Sequence, residues 1–283
     1  LPAPEPLPDP LPLATLQGFF KDPAKALLKD HLQLSLDALD DDVRLPEDEP
    51  MAAISRIHAV ARKVFFQYVL PQKCGDLAWA WDGRPPAWVR LGGLLPLGDA
   101  GDDAWGREAG AVEALWSQAE ACGRFDARGQ LGGQAVRVDV PLALPGDALT
   151  GADVPQRITG LLRNVFPLNG SEHGVQVVFA FPHPKDEEKH LKEPKALGFK
   201  EGVPAFLHWA LLRLQRAGGD TPAPVLLTML AFGEPALAAQ ANDWDARYCA
   251  ADTTPRAAME ADLLRRIRAL IELMRMGRDG MSW

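Results

Sequence analysis

Three consecutive stretches, Gln134 to Leu144, Arg157 to Phe166 and Gly174 to Phe181, read as strands with no helix-patterned segment between them. In the first, Val136, Val138, Val140, Leu142 and Leu144 alternate with Arg137, Asp139, Pro141 and Ala143, which buries one face. The second carries Ile158, Leu161, Leu162, Val165 and Phe166, and Asn169-Gly170 then suits a hairpin turn into Val175, Val177, Val178 and Phe179. The third is almost wholly apolar, so it belongs at the centre of a sheet. It also lacks any side chain that could hold a metal.

Helical patterns flank this block. Asp102 or Asp103 can cap a helix with Val112, Leu115, Trp116 and Ala119 on one side, ending near Gly123. After the charged loop Pro182 to Pro194, a helix from about Val203 to Ala217 turns Phe206, Leu207, Ala210, Leu211 and Leu214 inward. A strand over Val225 to Phe232 and a last helix from about Arg256 to Met276 follow. The fold class is α/β, a mixed central sheet with flanking helices.

Upstream, Leu1 to Pro12 alternates proline with Leu, Ala and acids, which favours extended chain and reads as a linker. Thr15 can cap a short turn through Phe19 and Phe20, and Asp22-Pro23 offers an N-cap and first-turn proline for a helix to about His31. Leu32, Leu34 and Leu36 read as a short strand before the acidic loop Asp37 to Pro50. Ile54, Ile57, Ala61, Val64, Phe65 and Tyr68 then recur at helical spacing within Met51 to Leu70. Pro71 to Gly101 reads as a long loop with a little helix, holding Trp79, Trp81 and Trp88. The expected division is a linker over 1–12, a helical N-terminal layer over 13–101 and an α/β core with its C-terminal helix over 102–283, all in one compact domain.

A chain of 283 residues with 47% hydrophobic content can bury one large core or two small ones. The formal net charge of -8 opposes wholesale binding to a phosphate backbone, so any nucleic-acid contact is confined to a local basic face. Cys74, Cys122 and Cys249 are odd in number and widely spaced, giving neither a disulfide framework nor a paired ligand motif, and a reducing, cytoplasmic setting is expected. No apolar run approaches the ~20 residues that span a bilayer. A soluble protein is expected, with no membrane partner.

The order helix, three strands, helix, strand resembles the PD-(D/E)xK nuclease core. Four segments narrow the likeness: Thr15 to Pro23 with Leu27, Leu32 and Glu47-Asp48-Glu49-Pro50; Gly93 to Gly101; Ile158-Thr159-Gly160-Leu161-Leu162; and Gly202 through His208 to Gly218. Together, in this order, they resemble the C-terminal domain of RecC, the gamma subunit of bacterial exodeoxyribonuclease V (RecBCD), from about Leu13 to Trp283, with weak support across Phe232 to Arg256. The resemblance implies a chain that stops inside its parent. It implies the partners RecB, RecD and DNA, and a role in scaffolding those subunits and in separating and guiding strands during double-strand break repair.

Active relatives of that core hold a divalent metal with an aspartate after the glycine-containing turn of the second strand, and with an acid, one residue and a lysine on the third. Hard anionic oxygens are required because the ion must acidify a bound water and neutralise charge on the phosphate. At the first position this chain has Arg163, a fixed cation, and Gln176 to Phe181 contains no acid. The expected function is therefore noncatalytic, with no metal or other cofactor; an active magnesium-dependent exonuclease and a pure protein scaffold are the alternatives. Glu187-Glu188-Lys189 spells the acidic motif but sits in a charge run after Pro182 and Pro184, where a solvated loop is expected. Asp22-Pro23 falls where some related nucleases place Cys-Pro for an iron-sulfur cluster, so no cluster is expected. His173, His183 and His190 lack ligand spacing and read as surface imidazoles. Arg157, Arg163 and Trp88 are the candidates for DNA or partner contact, against surface ion pairing for the arginines. Arg265, Arg266, Arg268, Arg275 and Arg278, interleaved with Asp262 and Glu272, read as an ordinary charged helix face.

Overall fold

The computed structural model describes residues 6–32, 59–75, 79–125, 134–144, 156–180, 198–219, 221–230 and 236–278. Within them, one mixed sheet of five strands comprises β1 (Leu11–Pro12), β2 (Gln134–Pro141), β3 (Arg157–Pro167), β4 (Val175–Ala180) and β5 (Val225–Leu230). β2 runs antiparallel along β3, from Pro141 opposite Arg157 to Gln134 opposite Val165. β4 is antiparallel to β3 but meets only Val165, Phe166 and Pro167, and β5 is parallel to β4 from Val175 opposite Val225 to Ala180 opposite Leu230. The three expected strands are present. β2 stops three residues short of Leu144, although the Leu142 N–H still reaches the Gln156 carbonyl (2.7 Å).

In the proline-rich start, Leu11 and Pro12 are not spare linker: they pair in parallel with Ile158 and Thr159, and Leu11 is buried. A strand has two edges, and β2 occupies one edge of β3 at both ends, so β1 and β4 share the other. Gly160 to Asn164 lie between them on that edge. The chain then enters α1 (Leu13–Lys21), which starts two residues before Thr15. Leu13 comes so close to β3 that only glycine fits at position 160: a Cβ there would lie 2.6 Å from Leu13 Cβ. Gly160→Ala is expected to lower stability by about 1–3 kcal/mol through overpacking in thermal melts, and Leu13→Ala should not rescue it, because alanine keeps the Cβ that clashes.

α2 (Pro23–Leu32) begins as expected, with the Asp22 side chain accepting the Lys25 N–H at 3.0 Å. The proposed strand at Leu32 to Leu36 and the acidic loop lie outside the described residues apart from Leu32, which ends α2. α3 (Ala59–Val64) leads through a π-helical segment (Phe65–Val69) into α4 (Leu70–Gly75), five residues beyond the helix end expected at Leu70. The Leu70 N–H reaches back to Phe65 O, a wider turn than an α-helix uses, just before Pro71, which has no N–H to give. α5 (Ala87–Leu91) is the little helix of the long loop.

α6 (Asp99–Ala121) starts ahead of the expected Asp102 or Asp103 cap, because Gly98 at φ 68 turns the chain and its carbonyl accepts from Gly101 and Asp102. α7 (Phe199–Gln215) likewise starts four residues before Val203, leaving Pro204 one turn in, where it removes one helical bond. α8 (Ala236–Ala250), between β5 and the last helix, has no counterpart in the sequence reading, and α9 (Thr253–Arg278) extends the final helix at both ends.

One sheet face carries Val138, Val140, Ile158, Leu162, Val165, Val177 and Leu227 and packs on α1, α7, α8 and α9. α7 lies between the sheet and those helices, so Val203, Ala205, Leu207, Trp209, Leu211 and Leu212 are all buried, while Phe206 and Leu214, expected inward, are half-buried. On the opposite face, Phe166, Val178, Ala180 and Leu230 meet Phe65, Leu70, Leu115 and Ala119 of the π segment, α4 and α6. α8 also closes the outer edge of β5. Asn242 accepts the Leu227 N–H (2.8 Å) and donates to its carbonyl (3.0 Å), and Asp245 accepts the Val225 N–H (2.9 Å). An edge strand whose backbone groups are so occupied cannot recruit another strand.

Candidate functional site

β3 cannot satisfy its own apolar pattern with plain alternation. Ile158 and Leu162 face the main core, but the next inward residue is Val165, three positions on from Leu162. The strand solves this with a bulge: the register with β2 slips by one between Val136 opposite Leu162 and Gln134 opposite Val165. Asn164 takes φ 58 there, a left-handed conformation that asparagine tolerates. Arg163 stands at this bulge, exposed. The three-residue step from Leu162 to Val165 was the visible signal for it.

The bulge sits where β3 leaves β4. Beyond Val165 opposite Val177 the two strands no longer pair, and β4 continues alongside β5 alone. The face of β2 and β3 turned away from the main core is open to solvent around Arg137, Asp139, Arg157, Leu161 and Arg163, and Leu161 is 50% exposed directly opposite Arg137. Arg157 is engaged by Asp139, with Nε to Oδ1 at 2.9 Å and Nη2 to Oδ2 at 2.7 Å. Arg163 has no hydrogen-bond or ion-pair partner among the described residues. Arg157 and Arg163 are six residues apart along the strand, about 20 Å at ~3.3 Å per residue. They bound one surface without touching the same group.

Trp88 is elsewhere. It is half-buried on α5, packed with Trp79 and Trp81 against a second cluster that includes Val89, Leu95, Trp105 and Val112. Trp81 meets Trp105 edge to face at 6.2 Å, Tyr68 meets Trp79 at 5.8 Å, and Trp105 Nε1 donates to the Gly83 carbonyl at 2.7 Å. These rings hold a long loop to α3 and α6. On α9, Arg265 and Arg266 pair with Asp262, and Arg275 pairs with Glu272, as an ordinary charged face would. His173 is exposed; Glu187-Glu188-Lys189, His183 and His190 lie outside the described residues.

The residues at the fork do not fit a divalent ion. Its β3 side offers the Arg163 cation, its β4 side offers Val177 to Ala180, and Asp139 is committed to Arg157. Among the described residues no three side chains of His, Cys, Asp or Glu converge to hold a metal. Gln176, the one polar residue of β4, is buried in a hydrogen-bonded network: it accepts from the Thr228 hydroxyl (2.7 Å) and donates to the Arg124 carbonyl (2.8 Å), while the Arg124 guanidinium donates to the Thr228 hydroxyl. No helix among the described residues is long and apolar enough to cross a membrane.

A second polar cluster, missed entirely by the sequence reading, lies under α8. Arg213 is fully buried and donates to the Ala223 carbonyl (2.8 Å), the Arg216 carbonyl (2.7 Å) and Asp245 Oδ1 (3.2 Å), with its guanidinium 4.5 Å from the Tyr248 ring centre. Tyr248 stacks on Trp244 and hydrogen-bonds Glu260 of α9. Burial pushes the Asp245 carboxyl up, opposed by the Val225 N–H and by Arg213. Burial and the neighbouring Asp245 push the Cys249 thiol up to about 11, which leaves it protonated and a poor nucleophile at neutral pH. The cluster ties α7, β5, α8 and α9 together, with no free reactive group.

The described residues form an α/β protein with a five-stranded mixed sheet and an exposed arginine at a bulge on its open face. The model of the RecC C-terminal domain family matches residues 8–279, and the chain belongs to that family. Membership puts it in the context of RecBCD, a machinery of DNA repair and recombination. None of the curated proteins matches the chain.

Proposed function

We propose that this chain is a nuclease-like domain without nuclease chemistry, which helps hold the RecB and RecD subunits in RecBCD and guides a DNA strand across the open face of β2 and β3. The order α6, β2, β3, β4, α7, β5 supports the nuclease-like reading, with β3 antiparallel to both of its neighbours, β2 and β4, in the row β2-β3-β4-β5. The observation that carries it is Arg163, a cation with no partner among the described residues, at the bulge where active relatives of that core place an aspartate. A guanidinium there repels a metal ion and attracts a phosphate. Arg137 supplies a second cation on the same face, and Leu161 between them is an apolar surface for a sugar or base.

The purified chain is expected to bind single-stranded DNA weakly at low salt, and submicromolar affinity at physiological salt would contradict the reading. Arg137→Ala with Arg163→Ala should weaken binding about tenfold and lower the salt slope by about 1–2. Arg157→Ala should do less, because Asp139 already engages that side chain. Binding that ignores all three changes would leave a pure scaffold, and magnesium-dependent cleavage that survives purification would restore an enzyme.

A further inference from the structure

The end of α5 and the loop from it to α6 present two large apolar side chains to solvent. Leu91 is 87% and Leu97 95% exposed, more than any other large hydrophobic residue described. The segment that carries them is tightly held. Gly92, Gly93 and Leu94 donate their N–H groups to the carbonyls of Trp88, Arg90 and Val89 at 2.9–3.1 Å, and Leu95 is buried beside Trp105 and Val112. Gly101 backs so closely onto the turn that a Cβ would fall 2.1 Å from the Pro96 carbonyl oxygen. Two leucines on a frame this fixed lose little conformational freedom when covered, which is the condition for an efficient contact.

The charges around them choose the occupant. Asp99, Asp102 and Asp103 are exposed beside Leu97, and the neighbouring cation Arg90 is bound to Asp102 at 2.6 Å. An acidic rim repels a phosphate backbone and matches lysine or arginine. We infer that the Leu91–Leu97 loop is a docking knob for a protein partner that offers an apolar pocket with a basic rim. The inference rests on the proposed role in assembly and names the surface that performs it.

The test uses the full chain mixed with the purified partner subunits of its complex, with association read by sedimentation velocity at physiological salt. Leu91→Asp with Leu97→Asp should weaken association about 100-fold, Leu97→Met should leave it near parental, and Asp99→Lys with Asp103→Lys should weaken it by about tenfold. The melting temperature should not move, because neither leucine is packed. Parental association of the double-aspartate variant would overturn the inference while leaving the assembly role standing. No association even by the unsubstituted chain would overturn both. Loss of a homodimer, or loss of single-stranded DNA binding with partner association intact, would assign the loop to a second copy or to nucleic acid and equally overturn it.

Discussion

Asp245→Ala is expected to lower the stability of the chain by about 3–5 kcal/mol in urea titrations, the largest single effect among its polar residues. Arg213 cannot move to water, since it is fully buried and enclosed by the Ala223 and Arg216 carbonyls and the Tyr248 ring. Removing its carboxylate leaves a charge in a medium that cannot solvate it, and also frees the Val225 N–H on the edge of β5. Replacing both partners, with Arg213→Met and Asp245→Leu, removes the stranded charge and should cost less than Asp245→Ala alone. What remains is the loss of backbone partners, at about 1 kcal/mol each. A double-mutant cycle measures the difference, and a coupling below about 1 kcal/mol would show that the pair does not anchor α8.

Stability is also expected to fall by about 3 kcal/mol as the pH drops from 6.5 to 4, because of His208. The imidazole packs against Phe179 at 5.1 Å between ring centres, and its Nδ1 is buried with no hydrogen-bond partner. Burial lowers its pKa from 6.5 to about 4. Between those values the unfolded chain takes up a proton that the folded chain refuses, so the contribution is fully present above pH 6.5 and lost by pH 4. His208→Phe keeps an aromatic ring at the site and cannot titrate. The difference in urea midpoint between His208→Phe and the parent, measured from pH 7 to pH 4, isolates this residue from the carboxylates. A difference that does not change with pH would show that His208 is solvated.

Much of the candidate face was legible in residue order. Alternation in Val136 to Val140 marks the wet side of β2, and Arg157 and Arg163 emerge on the exposed side of β3 as surface cations should. That Arg157 is neutralised, while Arg163 has no partner among the described residues, could not be read, because the pairing depends on Asp139 lying across the strand from Thr159, beside Arg157. Trp88 was a candidate because exposed tryptophan is chemically suited to bases; its packing with Trp79, Trp81 and Val89 comes from a loop wrapped onto α3 and α6, which local pattern does not encode. Leu91 and Leu97 were invisible as a surface for the same reason. Apolar residues in a glycine-rich loop look like packing until the loop is placed.

By itself, the sequence determined the order of helices and strands from β2 to β5, the central position of β4 and the absence of acids from it, since side-chain period and chemistry are local properties. The tertiary structure alone decided that Leu11 joins β3, that α7 is enclosed on nearly every side, and that an alanine-rich stretch becomes α8. Small residues such as Ala238 and Ala241 carry almost no hydrophobic period, and the segment also buries a charged residue, Asp245. Its helix is held by Arg213 and the edge of β5, groups that meet it only after the sheet has formed.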